Sequence, residues 1–273
     1  MRSFWRRFFK HRAAMVGLAV AFLLVAVAGV APQLAPHSPY SMDLTAKYQP
    51  PDAAHLLGTD EFGRDILSRI IYGSRIVVGI AISATVLASI GGIGIGLLAG
   101  MMGGWADLWV MRGIDVMMAF PAFLLATGLA AVLGPTPLNL VIVIAVTRAP
   151  HYARLIRGSV LAVREMEYVE AARSVGATLL HTAVRHVLPN CVGPILVYAS
   201  LTLGDSILIV SGLSFLGIGI QPPTADWGVM LARGREYLLI APWVPFFPGL
   251  AIFLTVMAFN LMGDGLRDTF DIA

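Results

Sequence analysis

The chain has 273 residues, of which 58% are hydrophobic and only 13% charged, and its net charge is +3. A soluble domain carries about 25% charge, so half that value with long apolar runs excludes an ordinary water-soluble globule and marks a polytopic membrane protein. The basic residues sit beside apolar runs, where they set topology and do not point to nucleic acid, and the single Cys191 excludes an internal disulfide or a multi-cysteine metal site.

Residues 1–12 carry Arg2, Arg6, Arg7, Lys10 and Arg12 ahead of an apolar run from Ala13 to Ala31. A signal peptide begins the same way, but this run is longer than a usual apolar region and the Ala31-Pro32 boundary is a poor cleavage site. The run is expected to be a retained first transmembrane helix with its N-terminus in the cytoplasm. Residues 32–58 are Pro-rich and polar, and read as an extended segment outside the membrane. Thr59 or Asp60 is then predicted to cap an amphipathic helix whose apolar face holds Phe62, Ile66, Leu67, Ile70 and Ile71, lying on the outer membrane surface.

A second span is expected over about Ile76–Met102, with Gly92, Gly96 and Gly100 at the four-residue spacing that lets another helix approach closely in lipid. The third, about Leu108–Leu133, holds Arg112 and Asp115 three residues apart, close enough to pair on a helix, and Pro121 predicts a kink. The fourth begins near Leu138 but meets Arg148 too soon to have crossed a bilayer. Either it ends early, or it continues to about Ala162 with Arg148, Arg154 and Arg157 facing the bundle or snorkelling inward. Continuation with a bend at Pro150 is the favoured reading.

A polar loop over 163–190 follows, then a fifth span, about Val192–Ile220. Residues 221–241 form an outer connection in which Asp226 is placed to cap a short helix. A sixth span covers about Pro242–Met262, and the tail from Gly263 returns to water. With both termini inside, the inner segments hold thirteen Lys and Arg residues and the outer segments six, as the positive-inside rule requires. The loop over 163–190 is then cytoplasmic.

Catalytic patterns are missing from the sequence. There is no G-x-x-x-x-G-K-[ST] phosphate loop, no G-x-S-x-G elbow and no H-E-x-x-H. Glu165, Glu167 and Glu170 read as helix-surface charges and not as a carboxylate pair. The six histidines show no ligand spacing, so no metal site is expected. Asp205 falls about thirteen residues into the fifth span, where an acid is costly and often functional. It either lines a translocation path or hydrogen-bonds a neighbouring helix or subunit.

Inside the cytoplasmic loop, Glu170-Ala171-Ala172, then three residues, Gly176, nine residues and His186-Val187-Leu188-Pro189 resembles the E-A-A-x3-G-x9-I-x-L-P signature of permease subunits of binding-protein-dependent ABC importers. His186 stands where that signature prefers isoleucine. The resemblance runs over essentially the whole chain. Gly58-Thr59-Asp60, Gly63-Arg64-Asp65, Ser68-Arg69, Pro150 through Leu155, Phe215-Leu216-Gly217, Pro222-Pro223 with Trp227-Gly228, and Phe259 through Asp264 are similar to the peptide/nickel branch. Within it the chain is most like the second ("C") permease of dipeptide importers. The tail lacks the proline usual after Asp271.

The resemblance implies an all-α integral membrane protein of the type I ABC importer permease fold, with six transmembrane helices and cytoplasmic termini. Residues 1–70 would hold the cytoplasmic tail, first helix and extracytoplasmic segment, and 71–273 a five-helix core with the coupling loop 163–190. It implies a second homologous permease, two cytoplasmic ATPases that bind ATP and Mg²⁺, and an extracytoplasmic binding protein, with no cofactor or catalytic residue in this chain. Glu170, Ala171, Ala172, Arg173, Gly176, Leu188 and Pro189 are the residues expected to couple it to an ATPase. Nickel or another small solute is the alternative cargo. An intramembrane enzyme would want a motif that is absent, and a passive channel has no need of a docking loop.

Overall fold

The computed structural model describes Phe8, Phe9 and residues 11–271. The expected inner-surface cations Arg2, Arg6, Arg7 and Lys10, and the terminal Ile272-Ala273, lie outside the described residues. The first helix, α1 (Arg12–Leu34), is capped by His11, whose Nδ1 accepts from the Ala14 N–H at 3.2 Å. It breaks from helical geometry at Val30, two residues before Pro32, as a ring without an N–H demands. Only Ala14, Gly17, Ala21 and Ala31 are buried along it. Phe22, Leu23 and Val25 face outward, as on a helix bathed in lipid.

Residues 35–65 form no separate amphipathic helix, contrary to expectation. Thr59 and Asp60 use their oxygens locally: Thr59 Oγ1 accepts from the Gln49 N–H at 2.9 Å, and Asp60 accepts from the Phe62 and Arg64 N–H groups at 2.8 and 3.0 Å. Asp65 is the cap instead, accepting from the Ser68 N–H at 2.7 Å. From there α2 (Ile66–Met102) runs unbroken for 37 residues, so the expected surface helix and second span are one element. Phe62 lies before it, under the guanidinium of Arg64 at 4.6 Å.

The third span is a break and not a kink. Helix α3 (Gly104–Met118) and α4 (Ala122–Leu133) meet at 86° around Pro121. Helix α5 (Pro137–Val163) continues through Pro150 without interruption, as favoured. Its contact with α2 is made possible by the glycine stripe: a Cβ on Gly92 would run into Tyr152 and the Ala149 carbonyl, one on Gly96 into Ala153, one on Gly100 into Val160. Without side chains there the two backbones approach closely enough to gain dispersion contacts that lipid cannot supply.

After the loop helices α6 (Glu167–Ser174) and α7 (Leu179–Thr182), a wide turn over Ala183–Val187 and a tight one over Leu188–Cys191 lead into α8 (Val192–Phe215). The helical path therefore begins at Leu179, earlier than the expected Val192, and ends at Phe215 instead of Ile220. Asp226 caps α9 (Trp227–Gly234) through the Val229 N–H at 3.0 Å, as its position suggested. The last helix, α10 (Trp243–Asp271), carries straight on through the tail. Gly263 and Gly265 do not end it because they serve as contact points, against Leu201 and Ala14 respectively.

Among the described residues every regular element is helical; the single bridge pairs Thr59 with Asp65. Four helices (α1, α2, the path ending in α8, and α10) are long and apolar enough to cross a membrane, and the bent α3–α4 pair makes a fifth. Helix α5 is not one of them, since its arginines interrupt the apolar run. The core joins α2, α5 and α8 through Val77, Ile80, Leu140, Ile144, Ile207 and Leu213. One end of the bundle gathers the start of α1 and the end of α10, where His11 and Asp268 lie 3.2 Å apart, and the end of α2, where Arg164 donates to the Gly100 carbonyl at 2.7 Å. The other end holds the start of α2 and α9, where the buried Trp227 donates to the Ile70 carbonyl at 2.9 Å.

Candidate functional site: an exposed loop at one end of the bundle

Helix α6 is short, eight residues, and has no side chain bonded at its N-cap, Met166. What favours it is charge and anchoring. Glu167 and Glu170 occupy its first turn and Arg173 its last, each at the favourable pole of the helix dipole. Val169, fully buried, pins it to a cluster of Leu97, Met101, Ile156, Val160, Val187 and Cys191. Glu165, Glu167 and Glu170 are exposed, as helix-surface charges should be.

The helix ends in a Schellman turn. The Ala177 N–H donates to the Ala172 carbonyl at 3.1 Å and the Gly176 N–H to the Arg173 carbonyl at 2.9 Å. Gly176 has φ +87°, a conformation that a residue with a Cβ reaches only under strain. Within this chain nothing lies within 4 Å of where its Cβ would stand, so backbone geometry, not crowding from inside, requires glycine. Thr178 then caps α7, accepting from the His181 N–H at 3.3 Å.

Leu188 packs against the Val169 cluster, and Pro189 stands in the first turn of the next helical segment, where a missing N–H costs nothing. The structure thus gathers Glu170, Ala171, Ala172, Arg173, Gly176, Leu188 and Pro189 into one unit. Its inner side is held by Val169 and Leu188; its outer side is bare. Val175 is 86% exposed, and Leu180, Val184 and Tyr168 are exposed beside it.

The charges on α5 meet acids from other helices. Arg148 lies 3.2 Å from Asp205 of α8, Arg154 is paired with Asp115, and Arg157 grips Asp107 with two bonds of 2.5 and 2.6 Å. The expected Arg112–Asp115 pair does not form: Asp115 reaches Arg154 on the facing helix instead. Asp107 carries no signal in the sequence, because its place beside Arg157 is set only when α3 packs on α5. An open groove of about 610 Å³ runs between these helices, lined by Asp107, Arg112, Asp115, Arg154 and Arg157. The Asp205 side chain is 50% exposed while Arg148 is 14% exposed, so the pair shows its acidic side on the surface of the chain.

One cluster lies away from both features. A ligating atom from each of His37, His55 and Asp65 comes within 4.8 Å of the other two, although the sequence spacing suggested no metal site.

Residues 92–272 match the family model described as binding-protein-dependent transport system inner membrane component, and residues 1–51 match the N-terminal TM domain of oligopeptide transport permease C. A glutathione transport system permease protein of Pectobacterium atrosepticum is 44% identical over 99% of this chain and 90% of its own. A di/tripeptide transport system permease protein of Pseudomonas aeruginosa is 44% identical over 99% and 91%. A probable D,D-dipeptide transport system permease protein of Escherichia coli is 46% identical over 88% and 80%. A crystal structure of an amino acid ABC transporter with histidines aligns with a TM-score of 0.50 at 19% identity, covering 75% of this chain and 98% of that one. That last likeness concerns the fold alone.

Proposed function

Because this chain belongs to the family of inner membrane components of binding-protein-dependent transport systems, we propose that it is the permease subunit of an ABC importer for dipeptides or other short peptides. The relatives' names, all of peptide or glutathione permeases, support that cargo. Six crossings follow if α5 and the bent α3–α4 pair each span the membrane. That count is supported by the contacts that gather alternate helix ends, and the basic residues of the 163–190 loop favour the cytoplasm for the side that it shares with both termini. Residues 1–70 then supply the tail, first helix and extracytoplasmic segment, and 71–273 the five-helix core.

The observation that carries the mechanism is a helix pinned from behind and bare in front. Val169 fixes α6 to the bundle, while Glu170, Ala171 and Arg173 face outward beside Val175. A partner pressing on that face moves the α2–α5 packing directly, because the Val169 cluster contains Leu97 of α2 and Val160 of α5. The partner is a cytoplasmic ATPase; two of them bind ATP and Mg²⁺ and supply the energy. A second permease completes the pathway and an extracytoplasmic binding protein delivers the cargo. Alternation between outward and inward access is a rigid-body switch biased by nucleotide, and this subunit contributes no catalytic residue.

Asp205 belongs to the path in this reading. A half-exposed carboxylate midway along α8 does not face lipid, so it faces the partner permease or the cargo. Arg148 beside it, 3.2 Å away, supplies the counter-charge that a substrate ammonium would replace.

Reconstitution with the partner subunits tests the coupling. Gly176→Leu is expected to insert normally but to hydrolyse ATP without uptake; normal uptake by that variant overturns the docking role. Asp205→Asn with unchanged substrate affinity and rate removes Asp205 from the path. Competition among dipeptides, longer peptides and Ni²⁺ tests the cargo.

A further inference from the structure

The Pro-rich segment after α1 folds back so that the rings of His37 and His55, eighteen residues apart, lie with centroids 4.9 Å apart and planes tilted by 40° beside the first turn of α2. Each ring has one nitrogen tied to an acceptor that has no proton to give. His37 Nε2 lies 3.0 Å from the Ala54 carbonyl, and His55 Nδ1 lies 2.9 Å from Asp65 Oδ1. In a neutral imidazole the tied nitrogen must therefore carry the hydrogen, which leaves Nδ1 of His37 and Nε2 of His55 as bare lone pairs. Asp65 is almost fully buried, and its other oxygen is held by the Ser68 N–H and hydroxyl, both at 2.7 Å. His37 is in turn fixed by its own N–H, which donates to Ser68 Oγ at 3.0 Å.

We propose that His37, His55 and Asp65 form a binding site for a first-row transition-metal dication such as Zn²⁺ or Ni²⁺. Two imidazoles select such an ion over Mg²⁺ and Ca²⁺, which take oxygen donors. A carboxylate that orients a ligating histidine from behind is the usual support of such sites, and Asp65 stands in that place for His55. Metal–nitrogen bonds of about 2.0–2.1 Å require the cluster to close from its present span, and His37, in an exposed loop, has the freedom to do so. The ion would tie His37 to His55 across the 32–58 segment, which the His55–Asp65 bond already fastens to the N-cap of α2. This inference is independent of the transported cargo and of the coupling loop.

The test is calorimetric titration of the full-length, chelator-treated chain in detergent, carrying a tag without histidine, with ZnCl₂, NiCl₂ and CaCl₂. One Zn²⁺ per chain is expected, with no binding of Ca²⁺. His37→Gln and His55→Gln each remove a direct ligand and should weaken zinc binding by at least the roughly 10–100-fold that loss of an orienting partner costs. His37→Gln leaves the backbone bond to Ser68 in place, so an unchanged thermal transition in that variant shows that the fold is kept. The rings of His181 and His186 lie 5.8 Å apart in the inner loop; His181→Gln serves as control and should bind as the unaltered chain does. No zinc binding by the unaltered chain, or unchanged affinity in the His37→Gln, His55→Gln double variant, overturns the proposal.

Discussion

The two ends of this bundle treat their polar residues in opposite ways. At the end holding 35–65 and α9, charges are buried and spent on one another. Asp60 takes Arg64 Nε at 2.7 Å and stands 3.6 Å from Arg69; Glu61 takes Arg64 and Arg233 at 3.4 and 3.3 Å; Arg69 donates to the Pro39 carbonyl at 2.8 Å. At the other end, α6 keeps its charges and several large apolar side chains in the open. A buried ion is tolerable only with its partners in place, and at the first end this chain supplies those charged partners itself, while Leu239 and Ile240 beyond α9 remain uncovered. Uncovered valine and leucine around a rigid turn leave apolar surface that the docking role proposed above would cover with another protein.

The largest predicted effect breaks the closed end. Asp60→Ala removes the acceptor for two backbone N–H groups and the counter-charge for Arg64 and Arg69, all buried. Removing one member of such a group costs about 3–5 kcal/mol. Thermal unfolding in detergent should show that loss, with protease cleavage appearing first in the 35–65 segment. A variant as stable as the parent would mean that water reaches these charges and that the end is not closed.

How much of this contrast could be read from residues alone differs between the two ends. The loop was legible, because its signature is local: Glu170-Ala171-Ala172 and Gly176 lie within one helix and its terminating turn, and the turn needs glycine for reasons internal to the backbone. The Gly92–Gly96–Gly100 stripe was legible for the same reason, since four-residue spacing is itself a statement about a helix face. The closed end was misread as an amphipathic helix. Phe62, Ile66 and Ile70 do have helical spacing, but Asp60 accepts from the Phe62 and Arg64 N–H groups and faces Arg64 and Arg69, an arrangement that helical spacing does not announce. Asp115 shows the same limit. The residue three positions away on its own helix was the natural guess, yet Arg154 on the facing helix took it. Pairings across helices depend on packing, which periodicity does not encode.

A middle-sized effect sharpens the comparison through pH. Asp226 caps α9 from a fully buried position, and burial pushes its carboxyl up to about 6, against backbone N–H donors that favour the charge. Its folded value thus lies above its unfolded one, near 3.8. The folded state binds the extra proton between these values, so stability is greatest below about pH 4 and is lost as pH rises through 6. Asp226→Asn keeps a capping oxygen for the Val229 N–H without the buried charge. It should gain up to about 3 kcal/mol at neutral pH and flatten the dependence of the unfolding midpoint between pH 4 and 6. An unchanged pH profile would show that Asp226 is not the group that titrates there.

The smallest effect on stability belongs to the open end, and its smallness is the point. Val175 lies at the C-cap of α6 with 86% of its surface exposed, so Val175→Ser removes almost no contact made within this chain. Surface changes of that kind stay within about 0.5 kcal/mol. If the face is bare because a partner covers it, the same variant should lose ATP-dependent uptake in the reconstituted complex while unfolding at the parent's temperature. Equal loss of stability and uptake would assign Val175 to the fold. Loss of neither would place the docking face elsewhere on α6, on the side of Glu170 and Ala171. The two ends are then told apart by one pair of measurements, since Asp60→Ala must lose stability first and Val175→Ser must lose only coupling.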